Sequence, residues 1–161
     1  SIRNHGQKIY RYNYEYLGIN GRMDTIQAAI LIEKLRNFKS VIKKRNKIGN
    51  YYNKLLSKFS YIKIPQIAKH NSSVYAQYTI QIENRDYIKK KLSDLGIPTY
   101  IFYPYPLSKV KYLKNANVRL PVTTSICKNV LSLPMNSYLT ATDQKLIVKS
   151  LVSVCQKIEN K

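Results

Sequence analysis

Several residue types that support common catalytic chemistry are scarce in this 161-residue chain. With only five Gly, it contains neither a glycine-rich phosphate-binding loop nor a dinucleotide-binding motif. His5 and His70 are the only histidines, and they lack the spacing of metal ligands. The eight Asp and Glu residues form no pair suited to general acid–base catalysis, and no Ser or Cys lies in a nucleophile elbow. The residues alone therefore indicate no catalytic centre.

Cysteine and long apolar runs are scarce as well. Cys127 and Cys155 form no CxxC pair and lie among apolar residues, which predicts buried free thiols in a reducing compartment. No apolar run approaches the roughly 18 residues needed to span a membrane, so no membrane partner is expected. Residues 1–6 contain no Met and no apolar signal segment, so we expect the sequence to be the interior of a longer protein.

Acidic residues are few compared with basic ones, and the formal net charge is +20. One interpretation is a surface that binds a polyanion. The other is a solvated basic surface whose lysine excess reflects A/T-rich codons. The 21 Lys against 7 Arg favour the second interpretation, because Arg is the commoner reader of bases.

The spacing of apolar residues predicts a small α+β domain with a helical lead-in. Asp24 and Gln27 form a capping-box pair that begins a helix, which we expect to continue to about residue 59 with a bend near Gly49. Alternating apolar residues and Pro positions predict four short strands, at 61–65, 74–82, 99–103 and 130–134.

Two further helices are predicted from their end signals. Asn84 is expected to cap the first, and Gly96 to end it. Thr140 with Asp143 begins the second, near the end of the chain. Before all of these, tyrosines at 10, 12, 14 and 16 alternate as in an extended segment, which could pack against a neighbour or stack on bases.

Two turns carry groups suited to ligand binding. Asn20 and Arg22 lie in a Gly-flanked turn before the first helix, and the fork of Arg22 suits a phosphate or carboxylate. Tyr103 follows a predicted strand and could stack on a ring and donate a hydrogen bond. The alternatives are surface solvation of Arg22 and core packing of Tyr103.

Blocks of sequence along the whole chain resemble one enzyme family, the nucleotide-sugar aminotransferases of the DegT/DnrJ/EryC1/StrS family. They occur in the family's order. The later blocks are most similar to members that aminate a sugar at a C3 keto carbon. The blocks are residues 4–6, 17–24, 27–29, 73–80, 85–86, 96–99, 103–107 and 131–135.

The resemblance implies the C-terminal small domain of an aspartate-aminotransferase-like (type I) fold, preceded by a long interdomain helix. It implies the end of the large cofactor-binding domain at 1–23, a long linking helix at 24–59 and a small C-terminal α+β domain at 60–161. The implied activity is a pyridoxal-phosphate-dependent transamination. A keto group of a nucleotide-diphosphate sugar becomes an amine, in amino-sugar or surface polysaccharide biosynthesis. Glutamate as amino donor, a homodimer and a cytoplasmic location are implied too.

The resemblance also assigns roles to four residues. Asn20 matches an Asn that reaches the cofactor phosphate of the partner subunit, and Arg22 matches a position that lines the sugar-nucleotide pocket. Tyr103 matches the aromatic residue of the family's His-Tyr-Pro segment, which faces the substrate. Phe102 replaces the His of that segment, so one polar substrate contact departs from the pattern.

The family's Schiff-base lysine and the carboxylate that pairs with the pyridine nitrogen belong upstream of Asn4. None of the 21 lysines lies in the family's lysine motif, so the chain contains no catalytic residue and its activity in isolation is not expected. Two alternatives follow from the residues: a non-enzymatic basic module that binds nucleic acid, given the charge and 15 Tyr, or an inactive gene remnant.

Overall fold

The computed structural model describes residues 1–7, 9, 13–110 and 118–159, apart from the side chain of Glu159. Two compact units divide the chain, Ser1–Ser40 and Val41–Lys161. The helices are α1 (Thr25–Arg36), α2 (Phe38–Leu56), α3 (Arg85–Asp94), a short 3₁₀ helix (Leu107–Lys109), α4 (Pro121–Asn129) and α5 (Ala141–Glu159). The strands are β1 (Tyr78–Gln81) and β2 (Val130–Leu133).

The first unit consists of two paired extended segments followed by α1. The segments run antiparallel, with isolated bridges between Asn4 and Asn20 and between Gln7 and Tyr14. Of the four alternating tyrosines, Tyr14 and Tyr16 are exposed, whereas the predictions for residues 10 and 12 lie outside the described residues.

The helical region that follows differs from the prediction of one long helix. At the start of α1, the backbone N–H of Asp24 donates to Gln27 Oε1 at 3.3 Å, as the capping-box pattern indicated. α1 then ends at Arg36, and Asn37 separates it from α2. The interruption therefore lies at Asn37, and Gly49 stays inside a continuous helix.

The second unit contains an antiparallel pair of strands. β1 and β2 pair in the register Tyr78 with Leu133 through Gln81 with Val130. Lys63 forms a single bridge to Gln81, and Tyr100 forms one to Ser132. The strands predicted at 61–65 and 99–103 thus shorten to single bridges, because nearby prolines lack the N–H that a longer ladder needs.

The helix ends in this unit show which local signals were reliable. α3 begins directly after Asn84, as predicted, but Asn84 has φ 54° and its side chain makes no capping hydrogen bond. Gly96 does end α3: at φ +73° it donates to Ser93 O, while Ile97 N donates to Leu92 O. α4 was not expected from the sequence.

The prediction for the last helix is confirmed. Asp143 N donates to Thr140 Oγ1 at 3.1 Å, and Thr140 N donates back to Asp143 Oδ2 at 3.0 Å. This reciprocal pair satisfies backbone donors that the first helical turn leaves unpaired. The pair therefore stabilises the start of α5 at Ala141.

The core of the second unit lies between the strand pair and helices α2, α3 and α5. Cys127 and Cys155 are buried, as predicted, and neither forms a disulfide. None of the described helices is long and apolar enough to cross a membrane. The largest fully buried side chains are Tyr52, Leu56, Tyr78, Ile80, Ile88, Leu92, Leu131 and Leu151.

Candidate functional site

The turn that carries Asn20 and Arg22 is held by close backbone packing. Gly6 has φ +76°, and a Cβ there would lie 1.7 Å from Tyr16 O. A Cβ on Gly18 would lie 2.1 Å from Gly6 N. Glycine is required at both positions because any side chain would force the two extended segments apart. The hydrogen bond from Gly21 N to Arg3 O, at 2.7 Å, fixes the end of the turn.

Asn20 and Arg22 lie side by side on this turn. The Nε of Arg22 donates to Asn20 Oδ1 at 3.3 Å, and both side chains are exposed. This contact leaves the amide of Asn20 and the two terminal nitrogens of Arg22 as hydrogen-bond donors. The pair forms a group of donors suited to a phosphate or carboxylate.

A surface groove of about 430 Å³ adjoins Arg22. Its wall is α1, which contributes Gln27, Ile30, Leu31 and Lys34. Lys34 is a second cation that the sequence interpretation missed. Its signal was the spacing from Gln27, since seven residues place the two on one helix face.

In the second unit, Phe102 and Tyr103 follow the bridge at the edge of the sheet. Tyr100 N donates to Ser132 O at 3.1 Å, and Ser132 N donates to Tyr100 O at 2.8 Å. The rings of Tyr100 and Phe102 then lie 6.1 Å apart, centroid to centroid. The buried Pro106 ends the segment before the 3₁₀ helix.

Tyr103 is 71% exposed, so it is not part of the core of this unit. Phe102 is 47% exposed, which is high for a phenylalanine. Both rings are available for contact with a ligand or another surface. Asn20 and Arg22 are brought together in the first unit, and Phe102 and Tyr103 are neighbours in the second.

Arg45 is a structural residue that the sequence did not single out. Its guanidinium donates to three successive backbone carbonyls, those of Val74, Tyr75 and Ala76. Tyr75 has φ +44°, an unusual conformation for an aromatic residue. Arg45 therefore holds the strained segment that leads into β1.

The resolved pKa shifts lie away from the candidate ligand-binding residues. Burial is the main cause that raises the pKa of Tyr52 and of Tyr78 well above the usual range of tyrosine. The side-chain hydrogen bond from Thr140, and then the backbone one, lower the pKa of the Asp143 carboxyl. No cluster of three or more metal-ligating side chains occurs in the described part of the chain.

Comparison with known proteins shows that the chain is similar to one family of enzymes. The DegT/DnrJ/EryC1/StrS aminotransferase family matches residues 1–152. A UDP-2-acetamido-2-deoxy-3-oxo-D-glucuronate aminotransferase from Pseudomonas aeruginosa is 39% identical over 152 residues, which cover 94% of this chain and 42% of that protein. A UDP-N-acetyl-3-dehydro-alpha-D-glucosamine 3-aminotransferase from Acidithiobacillus ferrooxidans is 32% identical and matches over 83% of this chain and 36% of its own length.

A solved structure shares the fold. The DegT DnrJ EryC1 StrS aminotransferase from Brucella abortus superposes with a TM-score of 0.85 at 38% identity, covering 94% of this chain and 41% of that one. The likeness confirms the α+β fold expected from the sequence. The chain spans about two fifths of the length of the relatives it matches.

Proposed function

Because the chain belongs to the DegT/DnrJ/EryC1/StrS aminotransferase family, we propose that it forms the C-terminal portion of a pyridoxal-phosphate-dependent sugar transaminase. The 39% identity to a nucleotide-sugar aminotransferase over 94% of this chain carries the proposal. The names of both relatives describe 3-oxo or 3-dehydro sugars, so we assign the reaction to a C3 keto carbon. Family membership favours this function over a nucleic-acid-binding module.

The remaining properties of the complete enzyme are part of the same proposal. The amino donor is glutamate, the enzyme is a cytoplasmic homodimer, and its product enters amino-sugar or surface polysaccharide biosynthesis. The domain boundaries inferred from the sequence also belong to the complete enzyme: cofactor domain to residue 23, linking region 24–59 and small domain 60–161. The Schiff-base lysine is supplied by sequence outside this chain.

The donors on the turn of the first unit suit the phosphate end of pyridoxal phosphate. The amide of Asn20 would donate to a phosphate oxygen of the cofactor held by the partner subunit, while its Oδ1 accepts from Arg22. When bound, the cofactor supplies an electron sink for the substrate carbanion. Within this chain, the role of Asn20 is to bind and orient the phosphate.

Arg22 has a separate role in binding the substrate. It lies beside the groove that Lys34 also lines, so two cations face one space. A nucleotide-diphosphate sugar carries a diphosphate that complements this pair. Arg22 thus binds the sugar nucleotide, and Lys34 adds a second positive charge.

Phe102 and Tyr103 provide the other substrate contacts. The exposed ring of Tyr103 can stack on the sugar or donate through its hydroxyl. The side chain of Phe102 has no hydrogen-bonding group, so it can make only apolar contact with the part of the substrate beside it.

The exposed apolar side chains of α1 support the proposal that more of the enzyme packs here. α1 has no buried residue, and Ile26, Ile30 and Leu35 are each more than half exposed. Exposed apolar surface of this kind marks interfaces. We assign these side chains to contact with the remaining part of the complete enzyme, since this chain matches only 42% of its relative.

A chimeric enzyme tests the function. Residues 1–161 would replace the matching part of the Pseudomonas aeruginosa relative, and glutamate-dependent amination of its 3-oxo sugar nucleotide would be measured. Arg22→Ala should raise KM by about 10- to 100-fold, because a hydrogen bond to a charged group contributes about 1.5–3 kcal/mol. Arg36→Ala removes an exposed arginine at the other end of α1, outside the proposed site, and serves as the matched control.

An inactive chimera that binds cofactor normally would count against the proposed function, as would equal effects of the two Arg variants. The unfused chain supplies a second readout. Mixed with pyridoxal phosphate, it should show no borohydride-reducible absorption band near about 410–430 nm mapped to one of its lysines.

A further inference from the structure

The outer face of α2 and α5 combines lysines with a concave apolar surface. Two grooves, of about 650 Å³ and 500 Å³, run between these helices. The apolar floor is formed by half-buried Leu55 and Val152, with buried Ile48 and Val148 beneath them. Six exposed lysines form the rim: Lys44, Lys47, Lys54, Lys58, Lys145 and Lys149. We refer to this rim and floor together as the α2–α5 seam.

Helix geometry places the two grooves on a single face. In α2, Lys44 and Leu55 are 11 residues apart, which is about three helical turns, and Lys58 lies two residues beyond the end of the helix. In α5, Lys145 and Lys149 lie one turn apart beside Val152. The seam is therefore one elongated surface with lysines on both sides.

The rim lysines have no acidic partners within the described residues. The ion pairs recorded there join Arg36 to Glu33, Arg85 to Asp86 and Lys91 to Asp94. Asp143, at the start of α5, is the acidic side chain nearest in sequence to the rim, and its carboxylate accepts two hydrogen bonds from Thr140. Like charges four residues apart on a helix, such as Lys145 and Lys149 in α5, also repel each other.

We propose that the α2–α5 seam binds an acidic amphipathic helix of another protein. The apolar stripe of that helix would enter the floor, and its carboxylates would face the lysine rims. A nucleic-acid backbone has no apolar stripe to fill the floor, and a bilayer is too broad to enter a concave seam. Charge complementarity with apolar contact therefore selects this kind of partner.

A synthetic peptide tests the proposal with the intact 161-residue chain. α2 and α5 are each 19 residues long, so a labelled probe of about 20 residues matches their length. It carries Leu at helical spacing and Glu on both flanks. A second peptide has the same composition in scrambled order, and phosphatidylglycerol vesicles and duplex DNA represent the other macromolecules.

Matched charge variants locate the binding surface. The seam variant replaces Lys54, Lys58, Lys145 and Lys149 with Gln, and the control replaces Lys69, Lys89, Lys90 and Lys128. Both lose four positive charges from exposed or half-exposed positions. The amphipathic peptide should bind about tenfold more weakly to the seam variant and within about twofold of normal to the control.

Several outcomes would overturn the proposal. Equal weakening in both variants would assign binding to the overall net charge, and equal binding of the scrambled peptide would remove the role of the apolar floor. Tighter, seam-dependent binding of vesicles or DNA would identify a different class of partner. If the amphipathic peptide did not bind even at low salt, the proposed partner of the seam would be wrong. Circular dichroism confirms that each variant is folded.

Discussion

Apolar side chains form a buried core in the second unit of the chain, whereas those of α1 in the first unit are exposed. Between residues 41 and 161, apolar side chains from α2, α3, α5 and both strands form a core, and Leu92, Leu131 and Leu151 are fully buried. Among residues 1–40, α1 has no buried residue, and Leu35 on it is 64% exposed. Both regions show apolar residues at helical spacing. The periodicity therefore indicates a face that will be covered, but not which surface covers it.

This difference has a consequence for stability. Burial of apolar area is the main favourable contribution to folding, so the second unit supplies the stability of the chain. The first unit depends on backbone pairing between its two extended segments and on the helix itself. Substitutions of the same kind should therefore have unequal effects in the two units.

A matched pair of leucine substitutions tests the comparison directly and should give the largest effect. Leu151→Ala leaves a cavity in the core and should lower the free energy of unfolding by about 2–5 kcal/mol. Leu35→Ala removes the same atoms from an exposed helical position and should change it by less than about 0.5 kcal/mol. Urea unfolding of both variants measures this, and similar values would break the contrast between the units.

Gly49→Ala should give the next largest effect. Alanine favours a helix by about 1 kcal/mol over glycine, but the new Cβ would lie 2.5 Å from the ring of Tyr75. Overpacking of this kind costs about 1–3 kcal/mol, and Arg45 restrains the backbone of Tyr75, so we expect net destabilisation. In a Tyr75→Ala background the same substitution should stabilise, as a double-mutant cycle would reveal.

Alkaline pH should destabilise the second unit through Tyr52 and Tyr78. Burial raises the pKa of both hydroxyls above the ordinary value of 10.0, so they stay protonated in the folded state while the unfolded chain ionises. Their contribution is complete below pH 10 and is lost as the pH rises further. The melting temperature measured from pH 9 upward should fall less steeply for Tyr78→Phe than for the unmodified chain.

Tyr138→Phe is the control for that experiment. Tyr138 is 83% exposed, so its ring meets water in both the folded and the unfolded states. The pH dependence should be the same as for the unmodified chain. An equal flattening in this variant would contradict the role given to the buried hydroxyls.

The smallest expected effect concerns the cap of α5. Hydrogen bonds from Thr140 lower the pKa of Asp143, so the carboxylate contributes stability above its ordinary value of 3.8, and this contribution is lost as the pH falls through the lowered pKa. Asp143→Asn should slightly lower the melting temperature at pH 7, with the difference from the unmodified chain shrinking in acid. Asp94→Asn, at an exposed residue paired with Lys91, is the control, and the same behaviour there would contradict the cap.

Most signals confined to one or two helical turns gave correct predictions. The Thr140–Asp143 pair and Gly96 act as predicted because the groups involved are within five residues of each other. Asn84 shows the limit of such signals: its residue type suits a cap, but its backbone adopts a left-handed conformation instead. The lengths of the strands were also misjudged, since pairing depends on residues distant in sequence.

The functional and structural residues around the candidate sites also divide into two groups, those that a short stretch of sequence indicates and those whose position depends on the fold. Asn20 and Arg22 could be found because a Gly-flanked turn and two donors are visible in a short stretch of sequence. Lys34 was missed because its place beside Arg22 depends on the path of α1, and Arg45 because its three carbonyl partners lie 29 to 31 residues away.

By itself, the sequence determined the α+β class, the C-terminal end of α3, the start of α5, the buried thiols and the family, because each follows from local chemistry or ordered motifs. The tertiary structure alone decided that Gly49 accommodates the ring of Tyr75, that two of the four predicted strands shorten to bridges and that lysines of α2 and α5 surround one apolar seam. These features join residues far apart in the chain, and only folding sets the distances between them.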